Sequence, residues 1–224
     1  MKKIMIIVGA LTLSTSMFAQ KQVAGSQTVE LEFAPLGSEP FKVNSLRYRY
    51  FKSENTAYRM SLFLEGKSTS TLGDTIGGAA QTKDKNSNFD FALKPGIEKH
   101  FVGTDKLSPY YGVELFLGIK KTSNNDEQNW FYENKLISST TTKTTKTSMG
   151  LNVLMGADYY ISSNLYLGAE LGFGFLKDGL GKTTTTYEHS EDTTLKDTDT
   201  KGNTSELKWG PNYQGTIRIG WIFK

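Results

Sequence analysis

From residue 28 onward, apolar and polar residues alternate with a period of two, and the pattern recurs in eight segments. A period of two places successive side chains on opposite faces, which is the signature of a two-faced β-strand rather than a helix. The segments cover residues 28–35, 42–52, 57–66, 88–101, 110–121, 147–161, 165–177 and 206–223. In the seventh, Leu165, Leu167, Ala169, Leu171, Phe173 and Phe175 alternate with Tyr166, Gly168, Glu170, Gly172 and Gly174. In the eighth, Ile217, Ile219, Trp221 and Phe223 alternate with Thr216, Arg218, Gly220 and Ile222.

The connections between segments fall into two classes. "SENT", "VGTDKLS" and "ISSN" are short, whereas the stretches after the third, fifth and seventh segments are long and polar. Short and long alternate along the chain. An up-and-down arrangement therefore puts every short turn at one end, together with both termini, and the long loops at the other. That asymmetry is expected of an eight-stranded antiparallel up-and-down transmembrane β-barrel, with short periplasmic turns and longer extracellular loops. The alternative is a soluble secreted protein, a lipocalin-like β-barrel or a sandwich, whose apolar face would point inward instead of toward lipid.

Charge on the polar face separates the two. The polar positions carry eight acids and five bases: Glu30, Glu32, Arg47, Arg49, Arg59, Glu65, Asp90, Lys94, Glu98, Glu114, Asp158, Glu170 and Arg218. Several lie mid-strand, where a membrane barrel would enclose them. An eight-stranded interior is just wide enough to be filled by side chains. We therefore expect a lumen charge network of Arg47, Arg49, Arg59, Lys94, Glu98, Glu114, Asp158, Glu170 and Arg218, with nearby glycines leaving room for the arginines. The opposite face is too bulky to fit inside so narrow a barrel. Tyr110, Tyr111, Tyr159, Tyr160, Trp209 and Trp221 cluster near strand ends, as interfacial girdles do. Pro95 and Pro211 fall inside strands, and proline removes a ladder donor, so a bulge or strand end is expected near each.

The N-terminus is of another kind. Lys2 and Lys3 precede an apolar run over residues 4–13, followed by the small residues Ser14, Ser16 and Ala19. This reads as a signal peptide over residues 1–19, cut after Ala19 or after Ser16, with the barrel domain over 20–224. No other apolar run approaches the ~20 residues of a membrane helix. The chain has no cysteine, which excludes disulfides and thiolate metal sites. Without Lys2 and Lys3, 24 bases face 23 acids, a balance that offers nucleic acid no electrostatic attraction.

The stretch "SLRYRYFKSENTAYRMSLFL" resembles the arginine–tyrosine hairpin of small outer-membrane β-barrel proteins of the Bacteroidetes, of the OmpA/OmpX-like and porin-family-like kind. The leader ending "FAQ" is similar to theirs. "IRIGWIF" resembles the C-terminal strand that such barrels present to the assembly machinery, with Lys224 following the expected terminal aromatic. The resemblance implies an outer-membrane location and, as partners, outer-membrane lipids, the barrel-assembly machinery and periplasmic chaperones. It also makes Ile217, Ile219, Trp221 and Phe223 the assembly strand.

Catalytic motifs are scarce. The chain has two histidines, His100 and His189. "HSE" at 189–191 has the residue types of a hydrolytic triad, but adjacent residues in a loop do not supply its geometry. "DTDTKG" at 197–202 begins like a calcium loop, yet Lys201 and Lys208 occupy ligand positions and the pattern fails. "DTI" at 74–76 and "DTT" at 192–194 resemble a short O-glycosylation motif of Bacteroides. The Thr/Lys runs at 139–147 and 182–186 read either as disordered loops or as polar strand extensions, because threonine favours strands. The extensions would give the fifth to eighth strands a taller rim than the first four. The sequence thus points to a monomeric, non-enzymatic protein without metal or cofactor, whose outer loops serve surface contact, adhesion or membrane integrity. A narrow porin-like channel for small solutes is the second reading.

Overall fold

A computed structural model of the chain describes residues 21–33, 43–76, 80–130, 136–179, 181–189, 197–202, 205–211 and 216–223. The expected leader, the 36–40 connection, and Ser190 and Glu191 of "HSE" lie outside these residues. The elements are β1 (Gln27–Phe33), β2 (Val43–Ser53), β3 (Thr56–Ile76), β4 (Ala80–His100), β5 (Leu107–Trp130) and β6 (Leu136–Tyr160). They are followed by β7 (Leu165–Asp178), β8 (Lys182–His189), β9 (Thr198–Lys201), β10 (Glu206–Pro211) and β11 (Thr216–Phe223).

Strands β1 to β6 pair in sequence, β6 pairs with β7, β7 with β11, and β11 returns to β1, all antiparallel. The result is a closed ring of eight strands, an up-and-down β-barrel without a free edge at this level. The closing ladder runs from Gln27 opposite Phe223 to Phe33 opposite Ile217.

The alternation sorts side chains as the charge pattern requires. Tyr48, Leu115, Leu171 and Ile219 are 41%, 37%, 60% and 44% exposed, while Arg49, Glu114, Glu170 and Arg218 on the same strands are buried. The apolar face is therefore the outside, which is incompatible with a soluble barrel packed around an apolar core. Two tyrosines depart from the expected girdle. Tyr110 and Tyr160 point inward and are 2% and 1% exposed, whereas their neighbours Tyr111 and Tyr159 face out. The physical reason is parity, since adjacent residues on a strand cannot share a face.

The described residues of the long connections after the third and fifth segments are strand. The β3–β4 ladder continues to Ile76 opposite Ala80, and the β5–β6 ladder to Asn129 opposite Leu136. The Thr/Lys runs also pair, Ser138 to Thr145 of β6 lying against Lys182 to His189 of β8. On β6, Ser148 pairs with Asp178 of β7 and Thr145 with Lys182 of β8, so β8 continues β7 after one surplus residue. β9 pairs with β8. A sheet of β3, β4, β5, β6, β8 and β9 therefore rises beyond the ring. The third and fourth strands are as tall as the fifth and sixth, which corrects the expected low rim over the first four.

The two prolines behave differently. Pro211 ends β10, as expected. Pro95 lies mid-strand with neither a bulge nor an end. β3 keeps Met60 opposite Pro95, and the ladder to β5 simply omits Lys94 and Pro95 without a change of register. A single missing donor is tolerated there because both flanks of the ladder hold the register.

Candidate functional site: a charged lumen

The inward positions of eight strands converge on a space that must be filled, and the sequence fills it with ions. Among the described residues the buried charges are Arg47, Arg49, Arg59 and Arg218 against Glu30, Glu32, Glu98, Glu114, Asp158 and Glu170. Several kcal/mol of desolvation oppose each such ion, so each needs well-aligned partners. The arginine fork supplies them, because five N–H donors in one plane can reach several carboxylates at once.

Arg49 on β2 reaches across the ring. Its Nη1 donates to Glu98 Oε2 at 2.9 Å, and its Nη2 to Asp158 Oδ2 at 2.8 Å and to the Tyr166 hydroxyl at 2.7 Å. Its Nε pairs with Glu30. Arg59 on β3 donates from Nη1 to Glu98 Oε1 at 2.9 Å, and from Nη1 and Nη2 to Glu170 at 2.8 and 3.0 Å. Its Nη2 also lies 2.9 Å from Glu114 Oε2. Arg47 grips the same Glu170 with two bonds of 3.0 Å, donates from Nε to Ser61 Oγ at 3.0 Å, and pairs with Glu32, to which Ser45 also donates. Arg218 on β11 donates to Glu30 Oε2 at 2.8 Å and Asp158 Oδ1 at 2.9 Å. Tyr166 donates to Glu30 at 2.6 Å, and Tyr110 donates to Glu170.

β2 faces β6, and β3 faces β7, across the eight-stranded ring. The Arg49–Asp158 and Arg59–Glu170 pairs therefore span the lumen instead of linking neighbours. Rings pack on the ions: the Arg49 guanidinium lies 5.3 Å from the Phe51 centroid and 5.2 Å from that of Tyr166. Glycine makes the room. A Cβ at Gly168 would sit 2.5 Å from Arg218 Nη2 and 2.8 Å from Asp158 Oδ1. Any larger residue there would displace the ion pair.

The short-turn end is closed by a second layer. His100 Nδ1 lies 2.9 Å from Ser108 Oγ, and its Nε2 lies 3.3 Å from Glu98 Oε2. Gln22, preceding β1, puts its amide near both His100 and Ser108 and accepts a bond from Tyr160. Tyr160, Tyr166 and Ile222 form a small buried apolar cluster beneath the ions.

Of the expected network, Arg47, Arg49, Arg59, Glu98, Glu114, Asp158, Glu170 and Arg218 are brought together inside the ring. Lys94 is not. It is half-buried, stands opposite Ser61 on β3 and takes part in none of these pairs. Glu30, Glu32, Tyr110, Tyr166 and His100 complete the site, and the inward parity of their strands marks all five in the sequence. Gln22 belongs to no alternating segment and carries no such signal. Ile217, Ile219, Trp221 and Phe223 all lie on the outer face, 47%, 44%, 52% and 49% exposed. "DTDTKG" forms no calcium loop; Thr198 to Lys201 pair as β9, and Asp199 binds Lys182 and Thr184.

A narrow barrel, apolar outside and ionic inside, defines a class: integral outer-membrane β-barrel proteins. The chain belongs to the putative OmpA-OmpF-like porin family, whose model matches residues 44–174. Among solved structures it is similar to the N-terminal β-barrel domain of Pseudomonas aeruginosa OprF. The identity is 14%, the match covers 90% of this chain and 100% of that one, and the TM-score is 0.39. It is also similar to Ail, the attachment invasion locus protein of Yersinia pestis, at 12% identity, with 90% and 100% coverage and a TM-score of 0.35. No curated protein matches the chain significantly.

Proposed function

We propose that this outer-membrane barrel is a non-enzymatic scaffold that anchors a tall β-sheet outside the cell for surface contact or adhesion. The observation that carries the proposal is the lumen itself: ion pairs cross it and aromatic side chains close its base, so the barrel body serves as a foundation and not as a passage. Both termini then lie on the periplasmic side, and the sheet of β3–β6, β8 and β9 projects outward. The chain works as a monomer in contact with outer-membrane lipids, and β11 is the strand read by the assembly machinery with its chaperones. The porin-like reading predicts stable single-channel conductance in planar bilayers; the scaffold reading predicts none.

Contact is tested by replacing the β5–β6 hairpin beyond Lys121 and Thr145 with a short turn and displaying the variant on cells. Attachment to host-cell or matrix-coated surfaces should fall to background, while heat-modifiable gel migration shows the barrel intact. Unchanged attachment would sink the scaffold proposal.

A further inference from the structure

The short-turn end of the barrel is crossed by a piece of chain that precedes the first strand. Residues 21–26 fold back on themselves. Ser26 N donates to Val23 O at 3.0 Å, Val23 N donates to Ser26 Oγ at 3.1 Å, and Gly25, at φ 89°, makes the turn. Gly25 N donates to Phe51 O at 2.8 Å, which ties this strap to the neighbouring β2. The turn carries Gln22 into the barrel mouth, where it is 4% exposed. The bonds that reach from the strap to β4, β5 and β6 come from the Gln22 side chain. Beside it lies a cavity of about 310 Å³, lined by Lys21, Gln22, Glu54, Val102, His100 and Ser108, into which that side chain can withdraw.

These bonds fit one proton arrangement of His100. Glu98 accepts from Arg49 and Arg59, so it is a carboxylate, and its contact with His100 Nε2 at 3.3 Å puts a proton on Nε2. In the neutral ring Nδ1 is then an acceptor, 2.9 Å from Ser108 Oγ and 3.4 Å from Gln22 Nε2. Gln22 Nε2 also donates to Ser108 Oγ at 3.3 Å, and its Oε1 accepts from Tyr160. A second proton on the ring reverses Nδ1, and two donors then face each other. Phe51 and Tyr110 hold the ring in place, with centroids 5.3 and 5.1 Å away. The charged groups around it are Glu98 of β4, Arg49 of β2 and Arg59 of β3 on that carboxylate, and Asp158 of β6 on Arg49. Lys21 and Glu54 line the cavity outside, and the phenols that face the ring are Tyr110 and Tyr160.

We propose that His100 is a proton-operated latch for the strap of residues 21–26. With the ring neutral, Gln22 is docked across the mouth; with the ring charged, Gln22 leaves and the mouth opens to water. The pairs that Arg49 and Arg59 make with Asp158 and Glu170 do not involve the strap, so the latch goes beyond the scaffold reading without opening the lumen. Histidine suits the task because its charge ordinarily changes between about pH 5 and pH 8, above the range of an ordinary carboxylate.

The test uses the micelle-embedded barrel with His189→Gln, which leaves His100 as the one imidazole of the chain. Nuclear magnetic resonance follows the His100 ring and the amide exchange of Gly25 and Ser26, corrected for intrinsic rate, from about pH 8 to about pH 5. Protection at both amides should fall roughly tenfold, as for the loss of one hydrogen bond, with the midpoint of the ring titration. Amides within β1 should keep theirs. His100→Gln should keep the strap docked throughout, and Gln22→Ala should leave it loose throughout while the ring still titrates. Constant protection while the parent's ring titrates means that the Gln22 amide turns over in place, and it overturns the latch. A ring that does not titrate in this range overturns it too, as does a fall that persists in His100→Gln. Heat-modifiable migration reports folding. If His100→Gln does not fold, Gln22→Ala decides, and a fall as large as the parent's overturns the latch.

Discussion

Arg49 shows what one residue does in this interior. Its guanidinium serves Glu30, Glu98 and Asp158, and two aromatic rings cover it. Replacing it with leucine keeps the volume but strands buried carboxylates. Removing one partner of a buried pair costs about 3–5 kcal/mol. Arg49→Leu should therefore lower the denaturant midpoint of the micelle-embedded barrel strongly, while Lys94→Ala shifts it by less than about 0.5 kcal/mol. Equal effects would contradict the placement of these two side chains. The contrast also marks a limit of sequence reading. Parity assigns Lys94 and Arg59 to the same face, but only the register shows that Arg59 meets Glu98 and Glu170 while Lys94 meets Ser61.

At the scale of the element, faces were legible and lengths were not. Alternation located the spanning part of every strand because one side of each must be apolar. Above the membrane both faces are polar, so strand and loop share a composition, and the threonine-rich extensions gave no period to read. Ile217→Asp on the lipid face should hinder assembly, whereas Thr216→Asp on the adjacent inward position should do so less. The yield of heat-modifiable barrel in outer-membrane fractions compares them, and equal yields would reject the face assignment. In the raised sheet, a hydrogen bond from Thr184 and the ammonium of Lys182 hold the Asp199 carboxyl below its ordinary pKa. A lowered folded-state pKa stabilises β9 pairing above the unfolded value, and the contribution is lost as pH falls through the lowered one. Amide exchange at Thr198 to Lys201, measured by mass spectrometry after correction for intrinsic rate, should show lower protection at pH 2–3 than at pH 6.

For the molecule as a whole, the ion pairs across the lumen and the closed base predict a barrel that does not conduct. Widening it should require charge removal on opposite walls. A variant with Arg49→Ala, Arg59→Ala and Glu170→Ala together removes both spanning contacts. If it still folds, it should show conductance events in planar bilayers that the parent lacks. Parent conductance of equal size would refute the blocked lumen. Alternation and the spacing of turns conveyed the barrel, its strand number and its inside. The tall sheet and the β7–β8 offset needed coordinates, because one surplus residue beyond Asp178 reverses which parity faces out.

The ring closes where β1 meets β11, and the chain between these strands makes this the most distant pairing in the molecule. Arg218 binds Glu30 directly across that seam and Asp158 beyond it. Until the seam forms, Glu30 and Asp158 lack one of their cations, and water has no reason to leave the interior. Drying of the lumen and closure of the ring are therefore one event. A half-built barrel remains wet and open-edged, and the conversion is switch-like: the last strand to arrive brings both the missing backbone ladder and the missing charge.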